Sequence, residues 1–345
     1  MAKKKPILGV DVGHDRLKLA VTCGGVVLQT ASAPMPKNLV QEGKIISNDS
    51  MAELIKMTMK ETQMRASVAA YILPNESVYV KNVELPMMTA DQLKYNLPFE
   101  FNDYVTGEVK DYIFDYAVLP QEEKEGEDEI EAMEKKPKLE VLAVGATREE
   151  VDTAAEIMKK AGLKLVKAAP ELCAYISLIR AQREVLSTLT ESASEEYGIL
   201  DLGYDGIRLY MYKGDRYVAT RALETGLSTL DDVIKDEMGV EEHLAHTYLM
   251  TNFEDCQHRE VCMMAYERIA VELNRALNFY RFSNPDSSLA DIWLCGGGAM
   301  IEPLAGMIAE MMDEIRLHTA DELVPDGLNI EECNSFVQAI GITMD

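Results

Sequence analysis

The sequence predicts an α/β protein built from two related domains that face each other across a cleft. Three observations carry that prediction. The chain opens with Ile7-Leu8-Gly9-Val10-Asp11-Val12-Gly13, an apolar strand holding one aspartate, followed by a polar turn and a second strand from Arg16. The same layout returns at Ile199-Leu200-Asp201-Leu202-Gly203, with its second strand from Ile207. Near the end, the apolar run 290–295 leads straight into Gly296-Gly297-Gly298.

Each repeat has a chemical reading. Aspartate disfavours strands, and a buried carboxylate is costly unless it is paired or holds a metal. Gly13 and Gly203 give an anion close access to backbone, and the turns after them present N–H groups that suit phosphate. Opposed turns of this kind fit the two sides of a nucleotide polyphosphate. Asp11 and Asp201 fit a hydrated Mg²⁺, which keeps its waters and takes only one or two carboxylates. The three glycines 296–298 let a flat ligand lie on bare backbone.

Composition narrows the function. The 345 residues suffice for two domains. The formal net charge of −25 argues against nucleic acid as a partner and against adsorption to anionic lipid. No long apolar run follows Lys3-Lys4-Lys5, so neither a signal peptide nor a membrane span is read there. The 6 scattered cysteines form no C-x-x-C pair, which fits reduced thiols and a cytoplasmic protein. Cys256, His258 and Cys262 lie close together but lack a second ligand cluster. His243 and His246 do not form a metalloprotease motif, so packing is the reading for both groups.

Taken in order, strands 16–22 and 26–28 follow the first turn, joined by Gly24-Gly25. Asp49 or Ser50 is placed to cap a helix over 51–63, and 67–73 reads as a buried strand. Segment 77–165 then looks like a small inserted subdomain with strands at 78–86, 112–119 and 139–146. Thr89 caps a short helix within it, and an acidic loop at 122–138 reads as solvated. A helix capped by Thr147 closes it, with acids in its first turn and lysines in its last. Residues 1–76 and 166–190 form the first domain, including a helix over 171–185 begun by Pro170. Residues 191–345 form the second domain. Its strands are 197–202, 207–212 and 216–223, and its helices are 228–237, 241–250 and about 259–282. In the long helix Glu272 and Arg275 share a face.

In this order the motifs Asp11-Val12-Gly13, Asp201-Leu202-Gly203 and Leu294-Cys295-Gly296-Gly297-Gly298 resemble the actin, sugar-kinase and heat-shock-chaperone ATPase superfamily. The resemblance implies two ribonuclease-H-like domains flanking a nucleotide cleft. The insert in the first half resembles the FtsA–PilM branch. Segments such as Val83-Glu84-Leu85-Pro86, Ala143-Val144-Gly145-Ala146-Thr147-Arg148-Glu149 and Glu272-Leu273-Asn274-Arg275-Ala276-Leu277-Asn278-Phe279-Tyr280 are closest to the PilM family of type IV pilus assembly. FtsA proteins carry a terminal amphipathic helix after a linker. The end at Asp345 leaves no room for one and favours PilM.

The resemblance implies ATP with Mg²⁺ at Asp11 and Asp201, phosphates at the Gly13 and Gly203 turns, and Lys18 approaching phosphate. Gly296, Gly297 and Gly298 would lie by the adenine, with Gly226, Glu272 and Arg275 near base or ribose. Glu171 is the nearest counterpart of a water-positioning residue. The resemblance also implies a partner: the cytoplasmic tail of an inner-membrane PilN-like protein, held in a groove between first domain and insert. The chain would then sit at the inner membrane through its partner, and self-association stays open.

Departures accompany the likeness. His14, Asp15 and Arg16 stand where relatives carry small hydroxyl residues, and Tyr204, Asp205 and Gly206 replace a second such turn. Leu227 follows Gly226 where relatives often have glycine. Asp15 and Asp205 would repel phosphate by roughly 1 kcal/mol per close charge pair in water; Arg16 or a protonated His14 would offset that. The reading is an ATP-binding scaffold of pilus or related secretion-system assembly, with slow hydrolysis at most. The alternatives are a phosphotransferase of the sugar-kinase branch, for which no convincing base is found, and an FtsA-like cell-division protein.

Overall fold

The computed structural model describes residues 5–41, 43–105, 107–119, 138–189, 196–214, 216–223, 225–325 and 328–344. It begins with strands β1 (Ile7–Val12), β2 (Arg16–Cys23) and β3 (Val26–Pro34), paired antiparallel in chain order. A two-stranded ribbon follows, β4 (Val40–Gln41) with β5 (Lys44–Ile45). Helix α1 (Asn48–Glu61) is capped by Ser47, whose side chain accepts from the Ser50 N–H. The cap thus falls earlier than Asp49 or Ser50, because the Ser47 hydroxyl already satisfies an orphan donor. Strand β6 (Val68–Leu73) then pairs parallel to β1.

The insert is a three-stranded antiparallel sheet with a short helix. Its strands are β7 (Val78–Pro86), β8 (Tyr112–Val118) and β9 (Lys138–Thr147), with β9 in the middle. Helix α2 (Ala90–Asn96) starts with a complete capping box between Thr89 and Gln92. Leu93, Leu97 and Phe101 pack with Val83 and Val141 into a small core of its own. The acidic loop 122–138 lies outside the described residues up to its last one, which opens β9.

The expected extent of the insert, 77–165, is too long. Helix α3 (Arg148–Lys160) buries Ala154, Ile157 and Met158 against Leu8, Val10, Met51 and Ile55 of the first domain. Its apolar stripe faces that sheet, so the insert ends at Thr147. Strand β10 (Lys164–Pro170) completes a sheet in the order β10-β6-β1-β2-β3. The helix expected over 171–185 breaks at Gln182 into α4 (Glu171–Ala181) and α5 (Arg183–Leu189).

The second half repeats the plan. Strands β11 (Glu196–Leu202), β12 (Ile207–Lys213) and β13 (Arg216–Leu223) run antiparallel. Helices α6 (Leu227–Met238), α7 (Glu242–Thr251) and α8 (Glu260–Ser283) follow. Strand β14 (Asp291–Cys295) pairs parallel to β11, helix α9 (Glu302–Met311) crosses back, and β15 (Arg316–Thr319) pairs parallel to β14. The order β13-β12-β11-β14-β15 matches the first sheet strand for strand.

One helix from each half joins the two. Helix α4, after the first sheet, buries Leu172, Tyr175 and Leu178 against Tyr210, Tyr212 and Trp293 of the second. Helix α10 (Ile330–Gly341), after the second sheet, reaches the first and packs near Ala20. At that crossing a Cβ on Gly9 would run into the Ala339 carbonyl, and one on Gly341 into the Ala174 carbonyl. The missing Cβ at Gly9 lets α10 lie this close to β1, and the one at Gly341 lets it lie this close to α4. The last helix of the second half thus packs against both halves.

Candidate functional site

A cavity of about 1000 Å³ lies where the two repeated turns face each other, within the range of small-molecule sites. Pairing register aims its charges. Asp11 on β1 sits opposite Lys18 on β2, and Asp201 on β11 sits opposite Arg208 on β12. Lys18 Nζ lies 3.4 Å from Asp11 Oδ2. Burial pulls the Lys18 pKa down, but Asp11 and Asp201 outweigh it and hold the ammonium charged.

Asp201 is only 5% exposed. Burial, then repulsion from Glu171, raises its pKa to about 7, against the pull of Lys18 and Arg208. Gln338 on α10 donates from Nε2 to Asp201 Oδ2 at 3.1 Å and to Tyr175 Oη at 2.9 Å. The same amide's Oε1 is buried without a partner. Gly296 has φ +85° and presses against Asp201, where a Cβ would also meet the Leu202 carbonyl at 2.7 Å.

Glu171 starts α4 and is buried at the cavity floor. Its Oε1 accepts from Asn75 Nδ2 at 2.7 Å and from the Tyr210 hydroxyl. Arg208 Nε lies 4.0 Å away, and Arg208 also reaches Glu76 at 3.4 Å.

At the mouth the turns touch. His14 Nδ1 is 3.1 Å from Asp205 Oδ2, and its ring stacks on Tyr204 at 5.7 Å. His246 on α7 is 3.5 Å from Asp15 through Nε2 and 2.9 Å from Asp231 through Nδ1. Burial opposes its charge, but bonds to Asp15 and Asp231 raise its pKa to about 10.

Asp11, Gly13, His14, Asp15, Lys18, Glu171, Asp201, Gly203, Tyr204, Asp205, Gly296 and Gly297 all line this cavity. Gly226 and Gly298 sit behind the wall instead. Gly226 packs under the Tyr204–Gly206 turn and Gly298 against Leu202. Glu272 and Arg275 do not line the cavity, and Arg275 is exposed on α8. Sequence reasoning missed Arg208, Gln338, Asn75 and His246. Arg208 had a signal, since it stands seven residues after Asp201 as Lys18 does after Asp11. His246, read as packing, belongs to the cleft because α7 carries it to the first-domain turn.

The residues fit a metal-bound nucleotide. Asp11 and Asp201 supply hard oxygens, and the orphaned Gln338 Oε1 beside Asp201 suits a metal-bound water. The acids of both turns, Asp15 and Asp205, each already lie against a histidine.

Two sheets of one topology, hinged by exchanged helices around this cleft, define a protein of the actin-like ATPase fold. Residues 9–321 match the family described as type IV pilus assembly protein PilM, and the chain belongs to that family. Among solved structures it is similar to the PilM–PilN type IV pilus biogenesis complex, at 20% identity, 97% coverage of both chains and TM-score 0.79. It is also similar to the ethanolamine utilization protein EutJ from Carboxydothermus hydrogenoformans, at 13% identity, 99% and 89% coverage and TM-score 0.59. MreB 5 of Spiroplasma citri bound to AMPPNP matches at 12% identity, 98% and 95% coverage and TM-score 0.51. No curated protein matches by sequence. Among the described residues no helix is long and apolar enough to cross a membrane.

Proposed function

We propose that this chain is an ATP-binding scaffold of type IV pilus or related secretion-system assembly, which grips the cytoplasmic tail of a PilN-like inner-membrane protein. Family membership over residues 9–321 is the observation that carries this reading. The solved relative named for a PilM–PilN complex supports the choice of partner. Its tail would lie in the groove between first domain and insert, and the tail would hold the scaffold at the inner membrane.

In this reading Asp11 and Asp201 would hold the hydrated metal of Mg²⁺-ATP in the cleft. The nucleotide would supply phosphate charge that complements the cleft's cations, Lys18 and Arg208. Lys18 stays protonated between the two aspartates and orients Asp11. Gln338 fixes Asp201 and offers its free carbonyl to a metal-bound water. Gly296 and Gly297 give the base a floor of backbone. Glu171 is tied to Asn75 and Tyr210 on one oxygen, so it positions water poorly and hydrolysis is slow. The insert is already tied to strand β13 of the second half. Asn82 on β7 donates to the Tyr217 carbonyl, and Arg216 pairs with Glu140 on β9.

The test is a titration of a peptide from the partner's cytoplasmic tail, with and without Mg²⁺-ATP. Saturable binding that tightens with nucleotide is expected. Binding indifferent to nucleotide would leave a scaffold whose grip is uncoupled from the cleft, and no binding would remove the partner.

A further inference from the structure

The mouth of the cleft holds a histidine built as a cation. His246 is bonded through Nδ1 to Asp231 at 2.9 Å and faces Asp15 through Nε2 at 3.5 Å. An imidazole with a carboxylate facing each nitrogen is favoured in the imidazolium form, which can donate to both. Asp231 is 1% exposed on α6 and also takes a hydrogen bond from the Tyr204 hydroxyl. It therefore cannot leave, and it keeps the ring charged and oriented from behind. Asp15 differs. It sits on the first-domain turn, part-exposed, with Arg16 and Lys18 beside it.

We propose that His246, backed by Asp231, is a phosphate-binding residue of this cleft, and that Asp15 occupies its Nε2–H until the polyphosphate of a nucleotide displaces it. This rests on the reading of the cleft as a nucleotide site. It gives the altered turns a function. The acid on the first turn serves as an internal stand-in for phosphate, closing the mouth across the two domains. His14 with Asp205 makes a second bridge of the same kind in the opposite sense, histidine from the first domain and acid from the second. Nucleotide then exchanges a protein carboxylate for a phosphate on a cation that stays put. A charge-assisted bond of this kind is worth more than a neutral one.

The experiment is a double-mutant cycle on Mg²⁺-ATP affinity, measured by calorimetry on the full chain with parent, Asp15→Asn, His246→Gln and the double variant. Circular dichroism and melting confirm that each folds. Asp231→Asn is a second variant should His246→Gln not fold. His246→Gln, or Asp231→Asn, is expected to weaken ATP about tenfold. Asp15→Asn is expected to tighten it severalfold, and the gain should vanish in the double variant, because it comes through the freed imidazolium. A gain from Asp15→Asn that persists without His246 would mean plain charge repulsion and would overturn the proposal. So would an unchanged affinity in His246→Gln, with the nucleotide site itself intact. No binding by the parent would instead bring down the nucleotide reading, and the proposal with it.

Discussion

Lys18 and Asp11 are cross-strand neighbours in the β1–β2 hairpin, 3.4 Å apart, and Asp201 of the other domain also acts on the same ammonium. One cation thus serves both aspartates that face the cleft. Lys18→Met should leave two carboxylates facing each other across the cavity. The expected result is loss of at least tenfold in Mg²⁺-ATP affinity, because Lys18 orients Asp11 and approaches the phosphates, together with lower stability of the unliganded chain, since a buried charge left unpaired costs several kcal/mol. Retained affinity, measured by calorimetry, would show that the pair only braces the hairpin.

Asp201 predicts a trade between stability and binding. Its folded pKa is raised from 3.8 to about 7, so the native state holds more protons than the unfolded chain between those values. Stability therefore falls as pH rises from about 4 to about 7, and the cost is full above that. Asp201→Asn should melt higher than the parent at pH 8 and about equally at pH 4, while losing metal-dependent nucleotide binding. A parent whose melting does not fall across that window would contradict this.

His246 contributes stability where Asp201 costs it. Its pKa is raised from 6.5 to about 10 despite burial, by the bonds to Asp15 and Asp231. Its stabilisation is fully present below about 6.5 and is lost as pH rises through about 10. Melting of the parent should drop as the solution approaches pH 10, and His246→Gln should be lower at pH 7 yet flat over the alkaline range.

Gly296→Ala tests the geometry of the second aspartate. The position has φ +85°, and an added Cβ would strike the Asp201 carboxylate and the Leu202 carbonyl. A loss of about 1–3 kcal/mol is expected in denaturant unfolding, together with weaker nucleotide binding. A neutral result would mean the loop rebuilds without moving Asp201.

The architecture was legible because it is written twice. Asp11 and Asp201 break apolar strands at equivalent places, and that repeat predicts two matched sheets across a cleft. The insert was visible from its strands, but its end was misplaced. The stripe Ala154, Ile157, Met158 says that α3 buries a face, and nothing local says which sheet receives it. The same limit governs the site. Asp11, Gly13 and Lys18 are close in sequence and announce each other. Gln338 and His246 reach the cleft only through the packing of α10 and α7, which no spacing encodes. Glu272 and Arg275, a plausible polar pair on one helix face, are not among the residues that line the cavity.

The central claim is that the cleft between the two turns takes Mg²⁺-ATP. The most direct measurement is thermal or denaturant unfolding of the parent and Asp11→Ala, each with and without Mg²⁺-ATP. At one hundred times the dissociation constant, nucleotide should add about 2.7 kcal/mol to the parent. The account predicts that gain in the parent and its absence in Asp11→Ala. Equal melting of the parent with and without saturating Mg²⁺-ATP would contradict it and leave a scaffold that keeps the actin-like fold alone.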